Sequence, residues 1–111
     1  MIRCEVDKED GVYRRLSCIG HAGFAESGQD IVCAAVSILV INTANSIEAF
    51  CGQDHTVSTN AKTGLIELRL NPPVNAKTAL LMDSFVLGMT GISNQYGSSY
   101  ITFTVKEVSR C

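Results

Sequence analysis

The longest apolar run of the chain, residues 31–41, constrains the fold more than any other feature of the sequence. Only Ser37 interrupts it and polar residues follow, so the run is far short of a membrane span and we expect a soluble protein. We predict a helix from Ile31 to about Cys51, where Gly52 is a natural stop. Because its first half is apolar nearly all round, we expect other elements to cover this central helix on more than one side.

Alternating apolar and polar residues before this helix predict a β-hairpin. The alternation covers residues 2–7, and a second run over residues 12–19 follows a three-residue loop, Glu9-Asp10-Gly11. A loop of this kind joins antiparallel strands. The register that it favours pairs Lys8 with Val12, Val6 with Arg14, Cys4 with Leu16 and Ile2 with Cys18. One side of the ribbon is then mostly apolar, and Cys4 and Cys18 are core thiols.

The rest of the chain predicts a second hairpin, a second helix and a closing strand. The hairpin strands are residues 56–60 and 65–70, and the closing strand covers residues 100–108. Asn75 is expected to cap the helix, and Gly88 to allow its close packing. The apolar stripe of this helix consists of Leu81, Phe85, Met89 and Ile92. We therefore predict one α+β domain over residues 1–111, of order ββαββαβ, in which a largely antiparallel five-stranded sheet packs with two helices in two layers.

Composition limits the partners and the compartment. The chain is 46% hydrophobic and only 18% charged. With so few charged residues, a small monomer would leave apolar surface exposed, so we expect a homodimer that hides it. A net charge of -2 and no basic cluster longer than Arg14-Arg15 argue against direct nucleic acid binding. The chain has five cysteines without the spacing of a disulfide framework, and it shows no signal peptide. We therefore expect a protein of the reducing cytoplasm, without disulfides and without membrane association.

The chemistry of the chain is concentrated in a glycine-containing loop that leads into the central helix. Asp30 is predicted to be the N-cap, which would put Cys33 in the first turn, where the partial positive charge of the helix end favours the thiolate. His21 lies twelve residues upstream, and Gly23 and Gly28 would let the chain fold back. These residues predict a cysteine-histidine dyad.

Ser37 would lie one turn after Cys33 on the same helix face, where its hydroxyl could reach the sulfur or its own backbone. Backbone amides near Cys33 are natural donors to an oxyanion at the helix end. The residues alone leave a second interpretation open. A cysteine among small apolar residues is commonly inert core, and the protein would then be a non-catalytic homodimeric module that binds peptides or serves a structural role with Cys33 buried.

A structural zinc site is a further alternative that we weigh and do not adopt. Its ligands would be Cys18, His21, Cys51 and His55. The second pair straddles a helix end and a strand start, whereas zinc ligands usually come in pairs on a compact knuckle or a single turn. A chain with this much apolar core needs no metal to fold. We therefore expect no metal and no other cofactor.

Two motifs in this stretch resemble the ribosomal-processing cysteine proteases of bacteria. The Gly-His-Ala motif covers residues 20–22, and Asp-Ile-Val-Cys-Ala-Ala-Val-Ser covers residues 30–37 without a gap. The resemblance implies peptide-bond hydrolysis with Cys33 as nucleophile and His21 as general base. It also implies a substrate, a large-subunit ribosomal protein whose N-terminal extension is removed. One departure is Ile38, where relatives often carry alanine.

The resemblance assigns supporting roles to Gly20, Asp30 and Ser37. The loop of residues 22–29 joins the general base to the nucleophile's helix, so we predict that it contacts substrate. Its candidate residues are Ala22, Gly23, Phe24 and Gly28. The glycines lie near the two ends and could act as hinges of a mobile gate, or could only satisfy turns.

Overall fold

A computed structural model of the protein describes residues 1–20 and 27–108, and the side chains of residues 1–20 and 31–108. In this part of the chain the elements are β1 Ile2–Glu9, β2 Val12–Ile19, α1 Ser27–Phe50, β3 His55–Asn60, β4 Leu65–Leu70, α2 Ala76–Tyr96 and β5 Ile101–Val108. The predicted order ββαββαβ is confirmed, with element ends that differ by at most four residues from those predicted.

The five strands form one sheet in the order β3-β4-β2-β1-β5. Both hairpins are antiparallel and so is the β2–β4 pair, whereas β1 and β5 are parallel. The predicted largely antiparallel sheet is therefore confirmed. β4 and β1 are both antiparallel to β2, so β4 and β5 run in the same direction. Strands of the same direction cannot be joined by a tight turn, and α2 connects β4 to β5 as a crossover. β3 and β5 are the two edges.

The two-layer arrangement follows from one buried face of the sheet. The core side chains of the sheet include Cys4, Val6, Leu16, Cys18, Leu68 and Leu70. The helices contribute Val32, Val36, Val40 and Ile47 from α1, and Met82, Phe85 and Met89 from α2. The opposite face carries paired charges: Arg15 lies 2.9 Å from Glu67 and 3.2 Å from Asp7. That face is solvated, so both helices pack on the apolar one.

The register predicted for the first hairpin is wrong by two residues. Glu9 pairs with Val12 across a two-residue turn, in which Asp10 and Gly11 have φ of 52° and 81°. Two positive φ values match the twist of a tight hairpin, so Asp-Gly forms the turn without Glu9. A bulge beside Asp7 shifts the pairing by one more residue. Side chains alternate between the two faces of a strand, so a total shift of two residues returns each side chain to its predicted face. The predicted apolar face of the hairpin is therefore correct.

The corrected register brings two cysteines face to face. Cys4 pairs directly with Cys18, their Cα atoms are 4.1 Å apart, and the structure joins them as a disulfide. The prediction of no disulfides is therefore wrong for this pair. The predicted register placed Leu16 opposite Cys4, so it could not bring the two thiols together. Both cysteines are buried, as predicted.

Helix α1 begins at Ser27, so Asp30 lies in its first turn and is not its N-cap. Apolar periodicity marks where a helix is buried, and the polar residues before Ile31 extend this helix beyond its contact with the core. Its end is as predicted: the helix stops at Phe50, and Gly52 has φ of 60°.

The outward side of α1 contradicts the expectation that this helix is covered on more than one side. Ile31, Ile38 and Ile41 are 56%, 70% and 48% exposed. Residues 31–50 are long and apolar enough to cross a membrane by length and composition. However, the same stretch carries the buried stripe that begins at Val32, so it is a core helix with an apolar outer surface.

Two contacts fix α2. Asn75 caps it, with Oδ1 accepting from the Thr78 amide at 2.9 Å, as predicted. Gly88 lies against α1, because a Cβ there would be 2.7 Å from a methyl carbon of Leu39. The buried Gln53, just after α1, also holds the start of α2: its Oε1 accepts from the Asn75 amide at 2.9 Å, and its amide nitrogen donates to the carbonyl oxygens of Asn71 at 2.8 Å and Pro73 at 3.1 Å.

Tyr13 ties the sheet to α2 and predicts a pH dependence of stability. Its hydroxyl donates to Asp83 at 2.5 Å. Burial, and then this hydrogen bond, raise the pKa of Tyr13 to about 12 from its ordinary value of 10.0. A raised folded-state pKa gives a contribution that is complete below about pH 10 and is lost as the pH rises through about 12. In urea unfolding, Tyr13→Phe should lack this loss. If the free energy of unfolding changed with pH in the same way in both proteins, the role given to the Tyr13 hydroxyl would be contradicted.

Candidate active site

Cys33 lies at the border between the core and the surface. Its neighbour Val32 is fully buried, whereas Cys33 itself is half-buried and packs against the core. Its side chain borders a small cavity of about 30 Å³ and an open one of about 450 Å³. Ser37, one turn later, borders both cavities, so the prediction that it shares a helix face with Cys33 is confirmed.

We call the larger cavity the Cys33 groove. It is lined by Gly20, Cys33, Ser37, Thr59, Asn60, Ala61, Gly64, Leu65 and Ile66. One wall is therefore α1, and the other is the end of β3, the start of β4 and the turn between them. The residues of this turn were not predicted for the site, because nothing in their type or spacing connects them to Cys33. Only the pairing of β4 with β2 brings them there.

Gly20 closes one end of the groove and is held on two sides. Its φ is 126°, and a Cβ there would collide with the carbonyl oxygen of Met1 and lie 3.2 Å from the Cα of Ile2. Its amide donates to the carbonyl oxygen of Thr63 at 3.1 Å. The turn that carries Thr63 is shaped by Asn60, whose side chain accepts from the Lys62 amide at 3.0 Å. Glycine is required at this position for both conformation and space.

The start of α1 changes the electrostatic argument for Cys33. Because the helix begins at Ser27, Cys33 lies in its second turn, and the field of a helix end falls off within the first turn. The amides without a partner inside the helix lie at its start, before Asp30. Stabilisation of a thiolate and of an oxyanion by this helix end, as expected from the sequence, therefore does not apply at the sulfur of Cys33.

Two of the residues weighed as zinc ligands, Cys18 and His55, do not meet. Cys18 is bonded to Cys4 and pairs with Ile66 of β4, whereas His55 pairs with Leu70 of the same strand. Four residues along a strand correspond to roughly 13 Å. His55 Nδ1 lies 2.7 Å from the carbonyl oxygen of Gln53. Among the described residues, no group of three or more potential ligands is close enough to hold a metal ion.

A second cavity of about 310 Å³ lies at the opposite end of the sheet. It is bordered by charged residues such as Arg14, Arg15 and Arg69, together with Pro72 and Val108. Arg15 and Arg69 both pair with Glu67. None of the described cysteines or histidines borders this cavity, so the Cys33 groove is the candidate active site.

Several residues predicted for the site lie outside the described part of the chain. These are His21, Ala22, Gly23 and Phe24, together with the side chain of Asp30. The predicted loop of residues 22–29 is wrong at its C-terminal end, because Ser27, Gly28 and Gln29 belong to α1, so Gly28 is a helix residue and not a loop hinge. The roles of the undescribed residues and the mobile gate remain predictions.

Comparison with known proteins identifies the family. The family model described as Cysteine protease Prp matches residues 1–102. A protein of Bacillus subtilis (strain 168) named Ribosomal processing cysteine protease Prp is 30% identical over 81 residues, which cover 69% of this chain and 72% of that protein.

Solved structures share the fold. SMU.848 from Streptococcus mutans superposes with a TM-score of 0.87 at 28% identity and covers 97% of this chain and 96% of its own. An essential ribosomal processing protease Prp from S. aureus, in complex with a covalently linked product peptide, has a TM-score of 0.83 at 23% identity, over 95% of this chain and 99% of its own. The fold and the matches define a cysteine peptidase built on a small α+β domain. The chain belongs to the cysteine protease Prp family.

Gly20→Ala tests whether the end of the groove is as constrained as its geometry indicates. A side chain in this backbone conformation costs about 1–3 kcal/mol, and the collision with Met1 adds to that. We expect a fall of the melting temperature by roughly 10 °C or more and loss of cleavage. Gly97→Ala is the matched control, since φ is 81° there and nothing lies within 4 Å of a Cβ. Equal losses in the two variants would mean that the close approach is unimportant.

Proposed function

We propose that this protein is a cytoplasmic endopeptidase that removes the N-terminal extension of a large-subunit ribosomal protein. Cys33 is the nucleophile and His21 is the general base. The observation that carries the proposal is the position of Cys33, half-buried at the wall of an open groove on the helix that also bears the family's second motif. A thiol at such a place is accessible to a peptide and is held by the core behind it.

Three further observations support the proposal. Gly20, which directly precedes His21 in the sequence, borders the same groove as Cys33. The Bacillus subtilis relative is named as a ribosomal processing protease. The S. aureus protein of the same fold is described in complex with a covalently linked product peptide, which is the kind of species that covalent catalysis forms.

The proposed reaction has two steps. In the first, His21 takes the proton of Cys33, the thiolate attacks the carbonyl carbon of the scissile bond, and the imidazolium gives the proton to the leaving amine. The product of this step is a thioester between Cys33 and the N-terminal fragment. In the second, the neutral imidazole takes a proton from water as the water oxygen attacks the thioester carbonyl carbon. The C–S bond then breaks, the N-terminal fragment leaves as a carboxylic acid, and the imidazolium returns its proton to the sulfur of Cys33. In this proposal Ser37, which borders the same groove, contacts the bound carbonyl or the sulfur.

The alternative, a module that binds peptides without cutting them, requires a buried Cys33. The buried free cysteine among the described residues is Cys51, at the other end of α1, whereas Cys33 borders open space. This contrast favours catalysis, and it also supplies a matched pair of variants.

Cys33→Ala and His21→Ala should each lower kcat/KM for an extension peptide by at least about 10³-fold and leave the melting temperature within a few degrees. Cleavage is followed by mass spectrometry and stability by calorimetry. Cys51→Ala is the control: it removes a buried thiol, so it should lower the melting temperature and leave cleavage intact. Near-normal proteolysis by Cys33→Ala would overturn the mechanism.

The exposed apolar surface of the helices supports a homodimer as part of the proposal. Ile31 and Ile38 are seven residues apart on α1, and Leu80 and Leu87, 68% and 77% exposed, are seven apart on α2. Residues with this spacing share one helix face. Since α1 and α2 pack side by side, the two rows form one outer surface, and a symmetric dimer is the commonest way to cover such a surface.

We expect a dimer in sedimentation at micromolar concentration, and Ile38→Glu with Leu87→Glu should convert it into a monomer. Charges in the centre of an apolar interface are left unpaired on association. The control is Val12→Glu, which places the same charge at an exposed apolar position in the first hairpin and should leave the dimer intact. A wild-type monomer at this concentration would contradict the homodimer, and would leave the proposed chemistry untouched.

A further inference from the structure

One edge of the sheet lacks the features that usually prevent a strand from pairing with another chain. β3 is a regular strand of six residues, and its pairing with β4 runs from His55 to Asn60 without a register shift. It contains no proline, lysine or bulge, and all its side chains after His55 are exposed. Such an edge presents unpaired N–H and C=O groups to any extended peptide. The opposite edge, β5, is guarded by the charge of Lys106.

The unguarded edge leads directly to Cys33. The last two residues of β3, Thr59 and Asn60, line the Cys33 groove together with Cys33 itself. A chain that followed β3 along its length would therefore arrive at the nucleophile. The charged cavity at the far end of the sheet has no such continuity with the groove.

We propose that the substrate binds in an extended conformation as a sixth strand beside β3, so that its backbone pairs with β3 and its scissile bond enters the Cys33 groove. Main-chain pairing supplies affinity in this mode, and alternate side chains supply specificity. The proposal rests on the peptidase function above and adds the binding surface to it. The occupant is a peptide segment of the substrate next to the cleavage site.

The faces of β3 predict the pattern of residues that such a peptide should carry. Val57 pairs with the buried Leu68, so it belongs to the helix side of the sheet, where it is 48% exposed. The neighbouring side chains of Thr56 and Ser58 belong to the solvated face. Substrate residues on the helix side would cover Val57, and those on the other side would meet hydroxyls and water. The chemistry therefore favours a segment in which apolar and polar residues alternate.

The first test uses the peptide backbone. The probe is a fluorescent synthetic peptide that spans the extension and the first mature residues of the ribosomal protein, and its binding to Cys33→Ala is measured by anisotropy. Single N-methyl groups are introduced at successive residues. Strand pairing predicts affinity losses of about tenfold at every second residue, since alternate amides face the partner strand. Losses without a period of two, or no losses, would overturn the proposal.

The second test uses the edge of the protein. In an antiparallel pair only alternate residues of an edge strand direct their N–H outward, so one of Val57→Pro and Ser58→Pro removes an outward amide and the other breaks the pairing with β4. The variant that keeps the wild-type melting temperature should raise KM about tenfold with kcat little changed. Thr104→Pro and Val105→Pro are the matched pair on the opposite edge. Whichever of these two variants keeps the wild-type melting temperature should also keep the wild-type KM. Val57→Ala and Ser58→Ala keep the backbone amide, so they measure how much of the change in KM comes from the loss of the side chain.

The outcomes separate this proposal from the one on which it rests. Periodic binding to Cys33→Ala without cleavage by the wild type would sustain the added strand and remove the peptidase function. If the wild type cleaves the peptide, and the β3 proline variant that keeps the wild-type melting temperature has an unchanged KM, the peptidase function is supported and the added strand is ruled out. A β3 variant that changes the sedimentation of the protein without affecting peptide binding would assign the edge to a second copy, and would also overturn the proposal.

Discussion

The burial of one stripe of α1 against the sheet is the constraint on which the rest of the structure depends. Val32, Val36, Val40 and Ile47 are at most 3% exposed, and each such side chain contributes about 1.5–3 kcal/mol when it leaves water. Together they fix the rotation of the helix about its axis. Cys33 follows Val32 in the chain, so the same rotation holds its sulfur at the border of the core and leaves it facing the groove.

The second helix determines which side of α1 is left open. α2 packs along one flank of α1, where Gly88 accepts Leu39, and two helices are too few to cover five strands. Among the described residues, the part of the apolar face that no helix covers is at β3, where Val57 is half-exposed. The open groove, the proposed nucleophile Cys33 and the unguarded strand edge therefore lie on the same flank. The outer surface of the helices is the surface on which the homodimer is proposed.

Sequence reasoning succeeded where a local rule was sufficient. The Asn75 cap, the stop at Gly52 and the helix face shared by Cys33 and Ser37 depend on nearest neighbours along the chain, and the structure confirms all three. It failed where two separated segments had to be matched. The hairpin register required knowledge of a bulge beside Asp7, and the Cys4–Cys18 pairing depended on that register.

By itself the sequence determined the order of the elements, the apolar face of each strand and the two motifs that identify the family. Each of these depends on residue type and on the fixed periods of helix and strand. Only the tertiary structure decided the strand order, the parallel pairing of β5 with β1, and the meeting of Cys33 with the β3–β4 turn. These depend on contacts between residues far apart in the chain, and their free energy is gained only when the whole sheet and both helices pack together.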